Sequence, residues 1–367
     1  MRLISASAHL VRTITPVKFS LPAGTFLTAL ETARAATPTA PSLTAYAGVL
    51  IQARPTGLTI TGADGDFSIE SAVAAEVSEQ GSVLLAPAPL LVLLRTVPAS
   101  ASLSVTVASD VTIEISGLRP YTLRPIHASF PPISRPDAAE QQVALGTLAT
   151  ALSSVRAACG KEIGGVQVLS NDAGVHLRAT DSYRLHAASL GAAGFGSFAG
   201  VVPLTVLQRI ADSNPTHLAI DAHARLLMTR NASTRITTRL LGVPFPPVEP
   251  LLATDSLHTA TIALAPFRTA LQRLQSVAEN ARVDVSIANG VAVLSASNAE
   301  VGTGAEEFAC ESTGDIIFTA ASNFLADALA AHSQDSVTLG WNAQNLPVTI
   351  ASSVPLTVRC LVMPIAS

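Results

Sequence analysis

The residues of this chain that could perform catalysis lie close together in one short segment. Asp181, Ser182 and His186 place a carboxylate, a hydroxyl and an imidazole near one another in the sequence, and these are the groups of a serine hydrolase. The chain contains no Gly-x-Ser-x-Gly, His-Glu-x-x-His or P-loop segment, the motifs that hold such groups in known enzyme classes. The sequence therefore favours a protein that is not an enzyme, with a hydrolase as a remote alternative.

The metal-binding residue types show no ligand spacing. The three cysteines, Cys159, Cys310 and Cys360, are far apart and form no Cys-x-x-Cys pair. The histidines are equally scattered, whereas a zinc site needs three or four convergent ligands. We therefore expect no metal and no cofactor. An odd, small number of cysteines also indicates a reducing compartment, and we expect a cytoplasmic protein.

The composition excludes several broad classes of protein. The chain has 367 residues, of which 49% are hydrophobic and 13% charged, with a formal net charge of −4. This is too apolar for a disordered chain, and too acidic overall for a strongly basic nucleic-acid coat. No apolar run reaches the ~18 residues needed to cross a bilayer, so we expect a soluble protein without a membrane partner.

The strongest pattern is a threefold internal repeat. An apolar strand that runs into an amphipathic helix is predicted at residues 18–30, 142–152 and 261–271. Phe19, Val143 and Ile262 occupy equivalent positions, about 120 residues apart. This period is far longer than that of solenoid repeats, which indicates three copies of a whole domain.

Two further elements recur in the same order. An alternating strand that opens on a glycine is predicted at residues 57–64, 174–181 and 290–298, and a strand followed by a short helix at 82–96, 200–211 and 315–331. The predicted fold is α+β: three tandem domains, each with two helices against small antiparallel sheets. Proline clusters at residues 130–136 and 245–250 mark the boundaries between domains. The predicted parts are an N-terminal extension (1–16) and three domains (17–135, 136–253 and 254–367).

Equal domains joined head to tail form an arc, and such an arc can close into a ring. If the helices of every domain lie on the same side, they would line one surface of the ring. A ring lined in this way could enclose a rod-shaped ligand. Basic residues on or beside the predicted helices would contact phosphates without reading base sequence. The residues predicted to face DNA are Arg34, Arg95, Arg156, Lys161, Arg209, Arg268, Arg273 and Arg282. On charge alone, ordinary solvated helix faces explain these residues equally well, because acidic residues lie on the same helices.

Four short segments resemble one known family. Residues 179–185, Ala-Thr-Asp-Ser-Tyr-Arg-Leu, resemble its A-T-D-G-H-R-L segment, and residues 245–247, Phe-Pro-Pro, resemble its F-P-D turn. Residues 37–41, Thr-Pro-Thr-Ala-Pro, resemble R-P-T-L-P, and residues 362–364, Val-Met-Pro, resemble V-M-P. Over residues 17–367 the chain thus resembles the bacterial sliding clamp family, the beta subunit of DNA polymerase III.

The resemblance implies a head-to-tail homodimer in which each chain forms half of a closed ring. The ring would encircle duplex DNA, and the protein would catalyse no reaction itself. It also implies a pocket between domains two and three. That pocket would bind short linear motifs of the DNA polymerase III catalytic subunit, the clamp loader and repair proteins.

The resemblance assigns residues to these surfaces. The pocket would use Ile163, Thr180, Ser182, Tyr183, Arg184, Leu185, Pro246, Leu251, Pro347, Leu361, Met363 and Pro364. The dimer interface would use Tyr121, Leu123, Leu274 and Gln275.

The chain also departs from the family pattern. Ser182 and Tyr183 replace a glycine and a histidine at the pocket, Thr37 replaces an arginine, and Lys161 and Glu162 replace a pair of tyrosines. These changes leave an alternative open: an accessory or phage-borne clamp-like paralogue that binds partner peptides without acting as the main replicative clamp.

Overall fold

The computed structural model describes residues 16–365. The predicted N-terminal extension, apart from Pro16, lies outside the described residues. Helices in the described part are α1 (Ala23–Arg34), α2 (Pro87–Leu94), α3 (Leu148–Val155), α4 (Leu204–Ser213), α5 (Glu249–Ala253), α6 (Leu264–Leu274) and α7 (Ser322–Ala330).

The first strands of the chain are β1 (Val17–Pro22), β2 (Val49–Arg54), β3 (Gly57–Ala63), β4 (Phe67–Val73), β5 (Glu76–Glu79), β6 (Gly81–Leu85), β7 (Ser102–Val107), β8 (Val111–Ile115), β9 (Tyr121–Leu123) and β10 (Gln141–Gln142). They are followed by β11 (Gly165–Asn171), β12 (Gly174–Thr180), β13 (Arg184–Ser189), β14 (Phe198–Pro203), β15 (His217–Asp221), β16 (Leu226–Arg230) and β17 (Thr234–Arg239). The remaining strands are β18 (His258–Ala263), β19 (Arg282–Ala288), β20 (Val291–Asn298), β21 (Gly302–Ala309), β22 (Glu311–Ser312), β23 (Ile316–Ala321), β24 (Ser336–Trp341), β25 (Val348–Ser352) and β26 (Thr357–Val362).

The helix ends follow local sequence chemistry. Pro87 opens α2, where a missing N–H costs nothing and the fixed φ suits a helix, whereas Pro22, which precedes α1, is extended and ends β1. Helix α4 ends at Ser213 and is followed by Asn214, which adopts a left-handed φ of 47° that terminates the helix. In the second repeat the apolar strand predicted at the start of residues 142–152 is wrong: the strand there, β10, ends at Gln142, Val143 and Leu145 lie outside it, and α3 begins at Leu148. The hydroxyl of Thr147, which precedes α3, donates to the carbonyl of Leu190 at 2.7 Å and holds the intervening segment.

The predicted glycine-led strands are confirmed. Gly57 and Gly174, which open β3 and β12, have φ of 124° and 120°, a conformation that favours glycine. Each closes a tight antiparallel hairpin with the preceding strand. A Cβ at Gly57 would lie 2.4 Å from the carbonyl oxygen of Val73, so the close approach of neighbouring backbone also requires glycine here.

Unit 1 is the compact part formed by residues 16–142 and 215–239. It contains a five-stranded sheet (β5-β1-β7-β8-β9) and an eight-stranded sheet (β10-β15-β16-β17-β4-β3-β2-β6). Phe26 and Leu30 of α1 and Leu90 of α2 are buried in one core with Phe19 of the first sheet and Ile60 of the second. The two helices are therefore fixed by apolar contacts with both sheets.

Unit 2 is the compact part formed by residues 143–214 and 240–365. It contains a nine-stranded sheet (β14-β11-β12-β13-β26-β25-β24-β18-β22) and a four-stranded sheet (β21-β20-β19-β23), with all neighbouring strands antiparallel. Helix α3 packs on β12 and β13, and α7 packs on β23 and β26. Helices α3 and α4 contact each other, as do α6 and α7.

Both large sheets cross a boundary between predicted domains. In unit 1, β4 of the first repeat pairs with β17 of the second. In unit 2, β13 of the second repeat pairs with β26 of the third. The two pairings use corresponding strands of successive repeats, which agrees with the α+β repeat architecture. The middle repeat contributes strands to both units, and the boundaries proposed at residues 135/136 and 253/254 stay predictions.

Candidate functional site

The turn between β12 and β13 in unit 2 is held by its own side chains. Asp181 Oδ1 accepts the backbone N–H of Tyr183 at 3.1 Å and of Arg184 at 3.0 Å. The Thr180 hydroxyl donates to the Arg184 carbonyl at 2.7 Å and accepts the N–H of Ser182 at 3.1 Å. Ser182 has a left-handed φ of 75°, the conformation for which glycine is better suited. The hydrogen bonds thus maintain a strained turn that presents Tyr183 outward.

Arg184 connects this turn to α7. Its Nε lies 2.9 Å from Asp181 Oδ2, and its Nη1 lies 2.5 Å from Asp327 Oδ2. The guanidinium carbon lies 4.3 Å from the ring centroid of Phe324, a cation–π contact. Tyr183 stacks on the same Phe324 ring with centroids 6.5 Å apart. One face of α7 therefore fixes the orientation of the turn.

Sequence reasoning missed Phe324 and Asp327. They are three residues apart on α7 and so lie on one face of that helix. This spacing is visible in the sequence, but nothing local indicates that the face meets a strand residue about 140 positions earlier.

A small apolar cluster lies beside the turn. Leu185 of β13 is opposite Leu361 of β26, and both are buried with Val248 against Phe245 and Leu252. Leu185 and Leu361 are residues predicted for the site, whereas Val248 and Phe245 were not predicted. Phe245 lies in the Phe-Pro-Pro segment that was singled out, so the motif itself carried the signal for it.

The chain after β26 returns to the turn. The N–H of Met363 donates to the Tyr183 carbonyl at 3.0 Å. This bond brings together residues of two predicted repeats. Tyr183, Leu251 and Met363 remain 66%, 45% and 39% exposed. A buried apolar cluster with exposed apolar residues around it and a few fixed polar groups is the composition of a ligand cleft.

Helix α5 is held against the sheet by two arginines. Arg178 Nη1 lies 2.5 Å from Glu249 Oε1, and Arg359 donates to the Leu252 carbonyl. The pKa of Glu249 is lowered by hydrogen bonding from its own backbone N–H and then by Arg178. The short helix carries Leu251 and Leu252 and is thus anchored at both ends.

The other predicted pocket residues are not members of this cluster. Ile163 is half-buried in the turn after α3, Pro246 is exposed before α5, and Pro347 is half-buried before β25. Pro364 is half-buried after β26, and Thr180 is buried at the end of β12.

Two buried histidines lie beneath the turn. His186 Nδ1 lies 3.0 Å from the Ser154 carbonyl, and His332 Nδ1 lies 2.7 Å from the Ser352 hydroxyl. The Nε2 atom of each ring is buried without a partner in the described chain. The pKa of both histidines is lowered to about 4, chiefly by burial, and for His332 the neighbouring His186 is the second cause of the lowering. Both rings are therefore neutral at pH 7.

This geometry weakens the hydrolase alternative. The His186 ring bonds to a backbone carbonyl, and Asp181 bonds to Arg184 and to backbone N–H groups. A hydrolytic triad needs the carboxylate on the imidazole and the imidazole on the hydroxyl. No described hydrogen bond joins Asp181, Ser182 and His186 in that way.

The basic residues predicted to face DNA have different environments. Arg34, Arg156, Lys161, Arg209 and Arg282 are exposed, and none forms an ion pair within residues 16–365. Arg95 contacts Glu31 at 2.7 Å, and Arg273 contacts Glu306 through two bonds of 2.5 and 2.6 Å. Arg268 is half-buried and donates to the carbonyls of Leu329 and His332 at the end of α7.

The residues predicted for the dimer interface lie on separate elements. Tyr121 is exposed and Leu123 half-buried on β9, an edge strand of the five-stranded sheet. Leu274 ends α6 and is 3% exposed, whereas Gln275 is exposed. Helix α6 packs on β21, an edge strand of the four-stranded sheet. Edge strands leave N–H and C=O groups for pairing with another chain.

Among residues 16–365, no group of three or more His, Cys, Asp or Glu side chains is arranged to hold a metal ion. Burial raises the pKa of the Cys159, Cys310 and Cys360 thiols, which keeps them in the unreactive protonated form. None of the helices in the same range has the length and apolar character required to cross a bilayer.

Two family profiles match the chain. The profile described as DNA polymerase III beta subunit, N-terminal domain, matches residues 17–128. The profile for the C-terminal domain of the same subunit matches residues 250–366. The two matches fall on the first and third predicted repeats.

Full-length relatives agree with these profiles. The beta sliding clamp of Streptomyces coelicolor is 27% identical over 335 residues, covering 86% of this chain and 88% of the relative. That of Streptococcus pneumoniae is 25% identical over 366 residues, covering 91% and 95%.

Solved structures show the same fold. The sliding clamp of Bacillus subtilis superposes with a TM-score of 0.87 at 18% identity, covering 96% of this chain and 100% of that structure. A Pseudomonas aeruginosa sliding clamp bound to griselimycin gives the same TM-score, identity and coverage.

Proposed function

The chain belongs to the DNA polymerase III beta subunit family, and from this premise we propose that it is a DNA sliding clamp that holds partner proteins on duplex DNA. It acts as a homodimeric ring and as a non-catalytic accessory subunit of the polymerase III holoenzyme. Its place of action is the cytoplasm, where bacterial DNA is replicated. The observation that carries the partner-binding role is the buried apolar cluster of Leu185, Leu361 and Val248, with the exposed side chains of Tyr183 and Met363 beside it, which together define the proposed cleft.

The cleft suits a short peptide with apolar anchors. Burying two leucine or phenylalanine side chains contributes about 3–6 kcal/mol, whereas a micromolar complex needs about 8 kcal/mol. Polar contacts must supply the difference and offset the entropy of ordering the peptide. The polymerase III catalytic subunit, the clamp loader and repair proteins are the partners that this site serves.

The DNA-binding role rests on the helices. Arg34, Arg156 and Arg209 lie on or directly after helices of the first two repeats and are exposed. Arginines in such positions bind phosphates without reading bases, with an affinity that falls as salt rises. The edge strands β9 and β21 are the surfaces through which two chains would join head to tail.

A second candidate is a clamp-like accessory or phage-borne paralogue that binds peptides but is not the main replicative clamp. It is favoured by the charges on the helices, because Arg95, Arg268 and Arg273 are already engaged within the chain. Fewer free cations then remain for phosphate contacts than the sequence alone indicates.

Retention on DNA separates the two candidates. The protein is loaded onto a nicked circular plasmid, half of the sample is linearised, and the bound protein is measured by gel filtration. A closed ring stays on the circle and slides off the linear DNA, while equal loss from both forms contradicts encirclement. The mass in solution, measured by light scattering, must correspond to two chains.

Peptide binding is tested separately by calorimetry with a short peptide that carries leucine and phenylalanine anchors. Binding that depends on Met363 together with failure to stay on circular DNA would identify the accessory protein.

A further inference from the structure

Unit 1 contains a polar groove that the proposed clamp function does not use. The groove has a volume of about 240 Å³ and lies between the β2–β4 region and the hairpin that joins β16 to β17. Four arginines line it: Arg54, Arg135, Arg230 and Arg235. Four guanidinium groups thus gather in one groove of a chain whose net charge is −4.

The groove lies on the face of the eight-stranded sheet that α1 does not cover. A Cβ at Gly62 would meet the carbonyl of Ala33 in α1, so Gly62 points to the helix side. Its neighbour Thr61 points to the other side, because side chains alternate along a strand. Thr61 is opposite Glu70, and Glu70 is opposite Arg235, which places these residues on the face away from α1.

Two carboxylates already occupy part of this groove or its margin. Glu70 Oε1 lies 2.8 Å from Arg135 Nη2, and Glu70 Oε2 lies 3.4 Å from Arg235 Nη1. Arg230 pairs with Glu140. Four arginines against two carboxylates leave an excess of two positive charges.

Arg54 carries much of that excess. It is exposed at the end of β2, lines the groove, and has no carboxylate partner within residues 16–365. The Glu70 side chain is only 12% exposed and is held by two guanidinium groups. Planar guanidinium forks match carboxylates in geometry as well as in charge.

We propose that this groove binds an acidic segment of a partner protein and that Glu70 is an internal competitor for it. Carboxylates of the segment pair with Arg54 and with the arginines that Glu70 otherwise occupies. The choice of a protein over DNA rests on the proposed function, because DNA would lie against the helices and the groove is on the sheet face opposite α1.

The test uses the full chain and a fluorescein-labelled peptide of eight glutamates, with anisotropy measured at low and moderate salt. Replacement Glu70→Gln frees Arg135 and Arg235 and should tighten binding at least fivefold. Glu114→Gln, at an exposed position of β8 in the other sheet of unit 1, makes the same change in net charge. It should leave the affinity within twofold of the unsubstituted chain.

A charge-reversal variant should change the affinity in the opposite direction. Arg54→Glu should weaken peptide binding about tenfold, whereas Arg225→Glu should change it less than twofold. Arg225 is exposed in the turn before β16, five residues or about 16 Å along the strand from Arg230. Since Arg54 is exposed, its replacement keeps the test valid even if Glu70→Gln lowers the stability of the fold.

Equal effects of the groove and control variants would show attraction to overall charge and would overturn the proposal. A short DNA duplex is titrated in parallel. If Glu70→Gln tightened DNA binding more than peptide binding, the groove would be a nucleic-acid site instead. These measurements use free protein, so their outcome is independent of whether the chain is retained on circular DNA.

Discussion

Arg184 and Asp327 form an ion pair in which Nη1 lies 2.5 Å from Oδ2, between strand β13 and helix α7. The two residues belong to the second and third predicted repeats. The arginine side chain is only 11% exposed, and its guanidinium also covers the Phe324 ring. The pair therefore connects the turn that presents Tyr183 to the helix of the next repeat.

Replacement Asp327→Ala should lower the free energy of unfolding by about 1–3 kcal/mol, because a largely buried guanidinium loses one of its two carboxylate partners. The unfolding midpoint in urea measures this effect. Asp172→Ala, at an exposed turn position, is the matched control and should shift the midpoint very little. An equal shift in both variants would show that the ion pair does not stabilise this junction.

Replacement Met363→Ala should weaken binding of a peptide with leucine and phenylalanine anchors by about 1–2 kcal/mol, through lost apolar contact. Calorimetry at 25 °C measures the change. Val301→Ala removes apolar surface at a position that is 64% exposed in the turn before β21, and it should leave the affinity unchanged. A peptide affinity insensitive to Met363 would count against the cleft.

The local parts of this structure could be predicted from sequence, because they depend on neighbouring residues. Alternation of apolar residues identified β3, β12 and β20, and the glycines before them identified the hairpins. The threefold repeat likewise located helices that directly follow other strands, such as α1 after β1, α4 after β14 and α7 after β23. What the sequence could not provide is the set of contacts between distant segments.

Two side chains illustrate that limit. Arg268 has the helical position expected of a phosphate-binding residue, yet it donates to the carbonyls at the end of α7. Leu274, assigned to the dimer interface, is 3% exposed within unit 2. Both environments arise from packing of α6 against elements that lie far away in sequence, which residue type and periodicity do not reveal.

Mild acid should destabilise the protein through His186 and His332. Their pKa in the folded chain is about 4, against an ordinary value of 6.5. Above pH 6.5 both states are neutral and the histidines have no effect. Below pH 6.5 the histidines of the unfolded chain take up protons before those of the folded chain, so the free energy of unfolding falls progressively until pH 4. At about 1.4 kcal/mol per pKa unit, the loss is about 3 kcal/mol per histidine.

Urea midpoints at pH 7 and pH 5 measure this dependence. Replacement His186→Gln removes one titrating group and should reduce the difference between the two midpoints. His223→Gln, at an exposed turn position, should leave that difference intact. If the difference were the same in all three proteins, His186 would not be a source of acid sensitivity.

Exposed helix arginines should contribute to DNA binding in a way that Arg268 does not. Replacement of Arg34, Arg156 and Arg209 by Gln removes three exposed cations. Each phosphate contact contributes about −0.9 to the slope of log affinity against log salt. The triple variant should therefore bind a duplex more weakly and with a slope shallower by up to about 2.7, as measured by anisotropy between 50 and 200 mM salt.

Arg268→Gln should lower the unfolding midpoint, because two carbonyls at the end of α7 lose their donor, and leave the slope unchanged. If the slope changed in Arg268→Gln and not in the triple variant, the assignment of the three exposed arginines to the DNA-facing surface would be wrong.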